Sequence, residues 1–412
     1  MLLVYNLLIY LYVALMQVAA WLHPKARLWV SGRQNWRARL RASVAEWQNA
    51  PGVCWVHAAS LGEFEQGRPV IEAFRQEFPG WKIVLTFYSP SGYEIRKNYA
   101  HADLICYLPA DTQANARDFL DILNPAIAVF VKYEFWANYL HALKKRGTST
   151  LLISAIFRPG QPFFAWYGAF WRKMLGAFQH LFVQDTASES LLHGIGIHQV
   201  TVAGDTRVDR VLSIARQVQE NPVVAPFVEQ ADSVLVVGSS WQPDENILFP
   251  AVQASHIAKV LLAPHEPSST NVARICKQLE EYGVTRYSDG PGARARWMVI
   301  DNVGMLNTLY RYGHIAYIGG GLGKGIHNTL EPAAFGLPVI FGPKYRKFEE
   351  ARQFVARGGA FVVQNSQDLA AVLQQLEDKK FYQNASRAVL SYLEENSGAT
   401  EKVMGFIRRV AK

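Results

Sequence analysis

VCWVHAASLGEFEQG, residues 53–67, sets the pattern from which the fold is read. The run 53–58 is too short for a helix and suits a buried strand. Directly behind it Ser60 and Gly62 open a helix whose first turn holds Glu63. A short apolar run followed by a tight turn and a longer amphipathic stretch is the repeating unit of a parallel sheet covered by helices. The unit recurs at 82–87 (KIVLTF), 104–107 (LICY), 126–131 (AIAVFV), 149–153 (STLLI) and 180–184 (HLFVQ), enough for one sheet. The rhythm restarts at 233–238 (SVLVVG), 258–263 (AKVLLA), 297–300 (WMVI), 314–318 (HIAYI), 338–341 (PVIF) and 360–363 (AFVV). Between them, 219–232 contains Pro222 and Pro226 without periodicity and reads as a linker. The expected class is α/β. Two Rossmann-like, doubly wound domains, 23–218 and 233–412, face each other across a cleft, with the last helix free to pack back on the first domain.

At 412 residues the chain exceeds the length at which one core stops growing. Half of it is apolar and 18% charged, which excludes general disorder. The net charge of +8 gathers near the N-terminus instead of forming a stripe, so anionic lipid or phosphate is the expected partner and nucleic acid is not. Cys54, Cys106 and Cys276 lie far apart with no CxxC pair, which argues against a disulfide framework and a zinc site. No metal and no cofactor are expected. Met1 to Leu22 carries no charge and is long enough to span a bilayer as a membrane anchor. Lys25, Arg27, Arg33, Arg37, Arg39 and Arg41 follow before the first acid, Glu46, which keeps the body on the cytoplasmic side. No positive charge precedes the run, as a cleaved signal would require. A spanning anchor leads the reading; an in-plane interfacial helix and a docked core helix remain open beside it.

Ligands of such sheets bind beyond the carboxyl ends of the strands, so the loops there should hold the chemistry. In SLGEFEQG, Glu63 either complements the helix dipole or serves as a general base tuned by partial burial. His57, ending the same strand, either fills a hydrogen-bonded core position or assists it. TFYSPSG, 86–92, sets Ser89, Ser91 and Gly92 before Arg96, which is able to hold an anion. KYEFWANYL, 132–140, places Lys132 and Glu134 in the matching turn, as a surface ion pair or as cleft residues. GGGLGKGIHNTLEP, 319–332, reads as a phosphate cradle leading into an apolar helix, with Gly323, Lys324 and Gly325 in the loop and His327, Asn328 and Glu331 as polar partners. It is not a Walker A, because Gly325 stands where Ser or Thr is needed, and it lacks GxGxxG spacing. APHEP, 263–267, with Pro264 and His265, and DNVGML, 301–306, with Gly304, Met305 and Leu306, lie at the same sheet edge. FRPGQPFFAWYGAFW, 157–171, divides between core packing and lipid contact.

HAASLGEFEQGRPVI, TFYSPSGYE, YEFWANY, VAGDTRVDRV, APHEP, GMLNTLY and GGGLGKGIHNTLEPAAFGLPVIFGP resemble, in order and over essentially the whole chain, the blocks of the lipid A 3-deoxy-D-manno-octulosonic acid (Kdo) transferase family. The resemblance implies a GT-B fold and metal-free, inverting transfer of Kdo from CMP-Kdo to a lipid A precursor at the cytoplasmic face of a bacterial inner membrane. It makes Glu63 the catalytic base, puts Glu134 and Ser89 to Gly92 on the acceptor side, and gives CMP to APHEP, GMLN and IHNTLEP. The chain departs from many members in carrying Lys132 instead of an acid, no arginine near His265, and Met305 in place of a glutamate. Two rivals remain: a lipid-linked GT-B transferase using a UDP-sugar, and a non-catalytic glycan- or nucleotide-binding module.

Overall fold

The structure, a computed structural model, describes residues 1–292 and 294–411. Among these the chain builds two seven-stranded sheets, every strand pair parallel. The first comprises β1 (Val53–Ala58), β2 (Lys82–Phe87), β3 (Leu104–Tyr107), β4 (Ile127–Val131), β5 (Ser149–Ala155), β6 (His180–Val183) and β7 (Val200–Val202). Their order is β3-β2-β1-β4-β5-β6-β7. After β1 the chain builds outward through β2 and β3, then crosses back to set β4 on the other side of β1. The carboxyl ends of β1 and β4 therefore flank the switch point where such sheets hold ligands. The second sheet comprises β8 (Val234–Ser240), β9 (Lys259–Pro264), β10 (Val284–Arg286), β11 (Trp297–Val299), β12 (Ile315–Ile318), β13 (Val339–Phe341) and β14 (Ala360–Val362). Its order, β10-β11-β9-β8-β12-β13-β14, puts the switch between β8 and β12.

The central strands read as continuous apolar runs because helices cover both sheet faces. Along β1, Trp55 faces one cluster with Phe119, Phe130 and Tyr139, whereas Cys54, Val56 and Ala58 face another with Phe74 and Val129. The strands β7 and β10 escape a sequence reading. Each is a three-residue edge strand that is at best half-buried, so neither carries an apolar run.

Two compact units result, Met1–Asp209 with Asn396–Lys412, and Arg210–Glu395. The division falls inside the helix Thr206–Gln217. The expected linker, 219–232, lies wholly within the second unit and carries the short helix Val224–Val228. The C-terminal helix Ala399–Val410 belongs to the first unit, where Ala399, Val403, Met404 and Ile407 enter the same core as Val56 and Phe74. The Asp209 carboxylate fixes its start, accepting the Gly398 and Thr400 amides at 2.6 Å each.

The N-terminal helix Leu2–Leu22 has the length and hydropathy of a membrane span. One side of it nevertheless lies along the first unit. The Tyr5 hydroxyl donates to Asp111 Oδ2 at 2.6 Å, Asn6 Oδ1 accepts from Asn138 Nδ2 at 2.9 Å, and Tyr12 meets Trp29 edge-on at 5.7 Å.

Candidate functional site

At the first switch point Ser60 ends the turn after β1 and begins the helix Leu61–Glu77 in a capping box. Glu63 Oε2 accepts from the Ser60 amide at 3.0 Å and from its hydroxyl at 3.3 Å. One carboxylate oxygen of Glu63 completes the cap, and the group lies near Glu134 and His57. Burial pushes its pKa above the usual carboxylate value, the Glu134 charge adds to this, and His57 opposes it. A Cβ on the exposed Gly62 would meet nothing within 4 Å, so open space lies at this turn.

His57 is wholly buried, and Glu134 nearly so. His57 Nε2 lies 3.0 Å from Glu134 Oε2, while Nδ1 lies 2.8 Å from Thr86 Oγ1 on β2. Nδ1 also lies 3.1 Å from the Thr86 carbonyl oxygen, and Nε2 lies 3.1 Å from Trp136 Nε1, so the ring is held at both nitrogens. Thr86 Oγ1 in turn accepts from Trp55 Nε1 at 2.8 Å, and Trp136 Nε1 donates to Glu134 Oε2 at 2.6 Å. The result is a dry chain of hydrogen bonds linking Trp55, Thr86, His57 and Glu134, with His57 and Trp136 meeting at one carboxylate oxygen.

Of the other residues expected here, Ser89 caps the helix Pro90–Arg96, accepting the Ser91 amide at 3.3 Å, and the two hydroxyls lie 2.9 Å apart. Gly92 is buried where any Cβ would strike the Phe87 ring, so its glycine serves packing. Arg96 ion-pairs with Glu65 at 2.7 Å, so its charge is already matched within the protein. Trp136 and Arg33 are not apparent from the sequence. Arg33 Nε donates to the Leu108 carbonyl and its Nη2 to the Tyr88 carbonyl, at 2.8 and 2.9 Å, pinning the loops after β3 and β2. Burial lowers its pKa to about 10. Tyr88 packs on Trp136 at 4.5 Å, so Arg33 holds the wall of this site.

At the second switch point a cavity of about 340 Å³ is lined by Gly238 and Ser239 from the end of β8, by Gly304 and Leu306, and by His327, Asn328 and Glu331 after β12. Gly319 is required there, because a Cβ would overlap the Ser239 carbonyl oxygen. The glycine run itself is not the open cradle expected from sequence. The Gly320 amide donates to Asp244 Oδ2 at 2.9 Å, the Gly323 and Gly325 amides both turn back on the Gly320 carbonyl at 2.9 and 3.0 Å, and Lys344 Nζ holds the Gly323 carbonyl at 2.6 Å. The helix that follows, Leu330–Ala333, is one turn long and brings no macrodipole of consequence. Gly323, Lys324, Gly325 and Met305 stand outside the cavity lining, and Lys324 is exposed.

Three rings form a stack at the rim: Trp241 on His265 at 4.4 Å and His265 on His327 at 4.5 Å, each tilted by 26°. Trp241 Nε1 donates to His327 Nε2 at 3.3 Å, and burial followed by His265 lowers the His327 pKa. Pro264 is the buried last residue of β9 and presents His265 to this stack. Trp241, a strand-end residue, carries no sequence signal of this role. Asn328 Oδ1 accepts the Leu330 amide and its Nδ2 donates to Glu331 Oε1, each at 3.0 Å, so Asn328 also shapes the turn. Tyr310 lines the same cavity, and its buried hydroxyl has no hydrogen-bond partner among the described residues. Among the described residues no three His, Cys, Asp or Glu side chains converge as a metal ion would need.

Two Rossmann-like parallel sheets, each with polar groups gathered at its switch point, define a GT-B-like protein. Solved UDP-GlcNAc 2-epimerase from Neisseria meningitidis, bound to UDP-GlcNAc, shares this fold at a TM-score of 0.60 and 18% identity, over 87% of this chain and 99% of that one. The family model of 3-deoxy-D-manno-octulosonic-acid transferase (kdotransferase) matches residues 34–210. The 3-deoxy-D-manno-octulosonic acid transferase of Haemophilus influenzae is 25% identical over 91% of this chain and 92% of its own length. That of Chlamydia pneumoniae is 27% identical over 74% and 72%. The chain is thus similar to Kdo transferases over most of its length.

Proposed function

We propose that this chain is an inverting glycosyltransferase that moves Kdo from CMP-Kdo to a lipid A precursor of the lipid IVA type, on the cytoplasmic face of a bacterial inner membrane. The observation that carries the chemistry is the half-buried Glu63 carboxylate, its proton affinity raised beside Glu134 at the β1/β4 switch point. In this reading Glu63 takes the proton of an acceptor hydroxyl as that oxygen forms its bond to C2 of Kdo. The C2–O bond to the phosphate breaks, and CMP departs with the electron pair. Burial first, and the Glu134 charge beside it second, hold Glu63 basic enough to act, with His57 opposing them. Ser60, Ser89 and Ser91 offer hydroxyls to the acceptor. In the second unit, Asn328 and Glu331 serve the CMP ribose and base, the Trp241–His265–His327 stack is a flat wall for them, and Tyr310 supplies a hydroxyl.

Product analysis by mass spectrometry with CMP-Kdo and tetraacylated lipid A precursor tests this. A Kdo-bearing lipid formed by the wild-type chain and absent with Glu63→Gln is expected. Transfer from UDP-GlcNAc but not from CMP-Kdo would overturn the donor, and no turnover with either would leave a binding module.

A further inference from the structure

The two sides of the helix Leu2–Leu22 differ. Tyr5, Ile9, Val13, Met16 and Ala20, spaced four, four, three and four residues apart, form the stripe turned to the protein, and with Asn6 and Ala19 they are its half-buried or buried positions. Val4, Leu7, Leu11, Leu15, Val18 and Leu22 repeat the same spacing on the opposite side and are all exposed, Leu22 by 87%. Contacts with the body run nearly the whole length of the helix, from Tyr5 on Asp111 to Ala20, whose carbonyl accepts from Arg27 Nε at 3.4 Å. A helix crossing a bilayer would have to carry this flank of the first unit into hydrocarbon, together with the buried Asp111 and Asn138 to which it is bonded. Leaving the body instead would strip Tyr5 and Asn6 of their partners in an apolar medium.

We infer that the helix does not span the membrane but lies in the plane of one leaflet, docked on the first unit by its Tyr5–Ala20 stripe and offering its Val4–Leu22 face to the acyl chains of anionic phospholipid. The surroundings complete such a face. Phe170 packs on Tyr5 at 5.8 Å, and the loop before it presents Trp166, 92% exposed, and Tyr167, amphipathic rings suited to headgroup depth. Near the start of the helix, Lys144 and Lys173 line a groove with Met1 and Leu2. At its end Lys25 and Arg27 are exposed. Positive groups thus stand at both ends of an apolar strip, where an anionic surface would meet them. The inference concerns where the enzyme of the preceding section sits. It is read without assaying transfer, so the two fail separately.

The full chain should float with vesicles of phosphatidylethanolamine and phosphatidylglycerol, less well in high salt. Leu7→Glu, Leu11→Glu and Leu15→Glu together should lower flotation about tenfold or more, with the circular dichroism unchanged, because these side chains point away from the body. Topology is read by an impermeant maleimide on inverted inner-membrane vesicles, with the wild-type chain giving the background of Cys54, Cys106 and Cys276. Leu2→Cys and Lys25→Cys should both label without detergent. Labelling of Leu2→Cys only after detergent would place it on the far side and overturn the inference in favour of a span. A wild-type chain that ignores vesicles and sediments as a dimer, reverting to monomer in the triple variant, would assign the face to a second copy.

Discussion

The two switch points solve different problems with the same sheet. At the β1/β4 point the polar groups are buried side chains on strands and on the loop after β4, bonded to one another, and the Glu63 carboxylate sits at their edge. At the β8/β12 point an open cavity is bounded by backbone turns and a ring stack, and its glycines let one loop pass over another. Proton transfer gains from a dry, preorganised surrounding in which a neighbouring charge shifts a pKa by direct Coulomb interaction. Recognition of a nucleotide monophosphate gains from reach and flat surfaces, and tolerates water. Under the proposed function, the first unit is therefore tuned by what it excludes, and the second by what it leaves room for.

The largest effect that separates them is expected from Glu63→Gln. Glutamine keeps the capping geometry but accepts no proton, so kcat should fall about 100- to 10,000-fold while CMP affinity and Tm hold. A variant retaining more than about a tenth of the rate, a deficit of ~1.4 kcal/mol, would remove Glu63 from the mechanism. On the other side, Glu331→Ala should weaken CMP binding by about 1.5–3 kcal/mol in calorimetry, the range for hydrogen bonds involving a charged group. Unchanged affinity would move the nucleotide away from this cavity.

Thr86→Val probes the dry chain itself. It keeps the shape but leaves Trp55 Nε1 without its partner and His57 Nδ1 with only the backbone carbonyl of residue 86, and about 1–3 kcal/mol of stability should be lost in urea denaturation. CMP affinity should stay put, while the pH dependence of kcat shifts because His57 no longer steadies Glu134. A stable variant with an unmoved profile would reduce the chain to packing. The smallest effect concerns pH alone. Because the Glu63 pKa is raised when folded, activity should decline on acidification at a pH above the usual carboxylate range. The contribution of Glu63 to stability has its own sign: it is fully present below the ordinary glutamate pKa and lost as pH rises through the raised one. Glu63→Gln should flatten that part of the stability curve.

Much of this architecture is legible along the chain because central strands buried on both sides announce themselves as apolar runs; VCWVHA and KIVLTF begin and end where β1 and β2 do. Ser60 and Glu63 are legible as a helix start because capping is local. What a linear reading lacks is which loops converge. Nothing in the spacing says that Trp136 reaches His57, that Arg33 pins the loops after β2 and β3, or that Trp241, His265 and His327 stack from three separate loops. The glycine run misleads for a related reason. Glycine permits close approach of either ligand or protein, and here the Gly320 carbonyl and Asp244 take amides that an open cradle would offer to an anion. The aromatic run 157–171 divides as residues, not as a block: Phe163 is buried against Phe135 and Phe157, whereas Trp166 stands clear.

The C-terminal helix closes the core of a unit that begins at the other end of the chain, and this imposes an order of assembly. A growing polypeptide presents Val56, Phe74 and Val129 long before Val403, Met404 and Ile407 emerge to cover them. Throughout that interval the first unit waits with a greasy groove uncovered while the second, encoded by one uninterrupted stretch, is able to complete itself. A stop codon only a few turns from the end would thus injure the half of the protein made first. Dissection of the chain should follow the same logic: residues 210–395 make a natural single fragment, whereas residues 1–209 need the tail supplied as a second peptide or spliced on after Asp209.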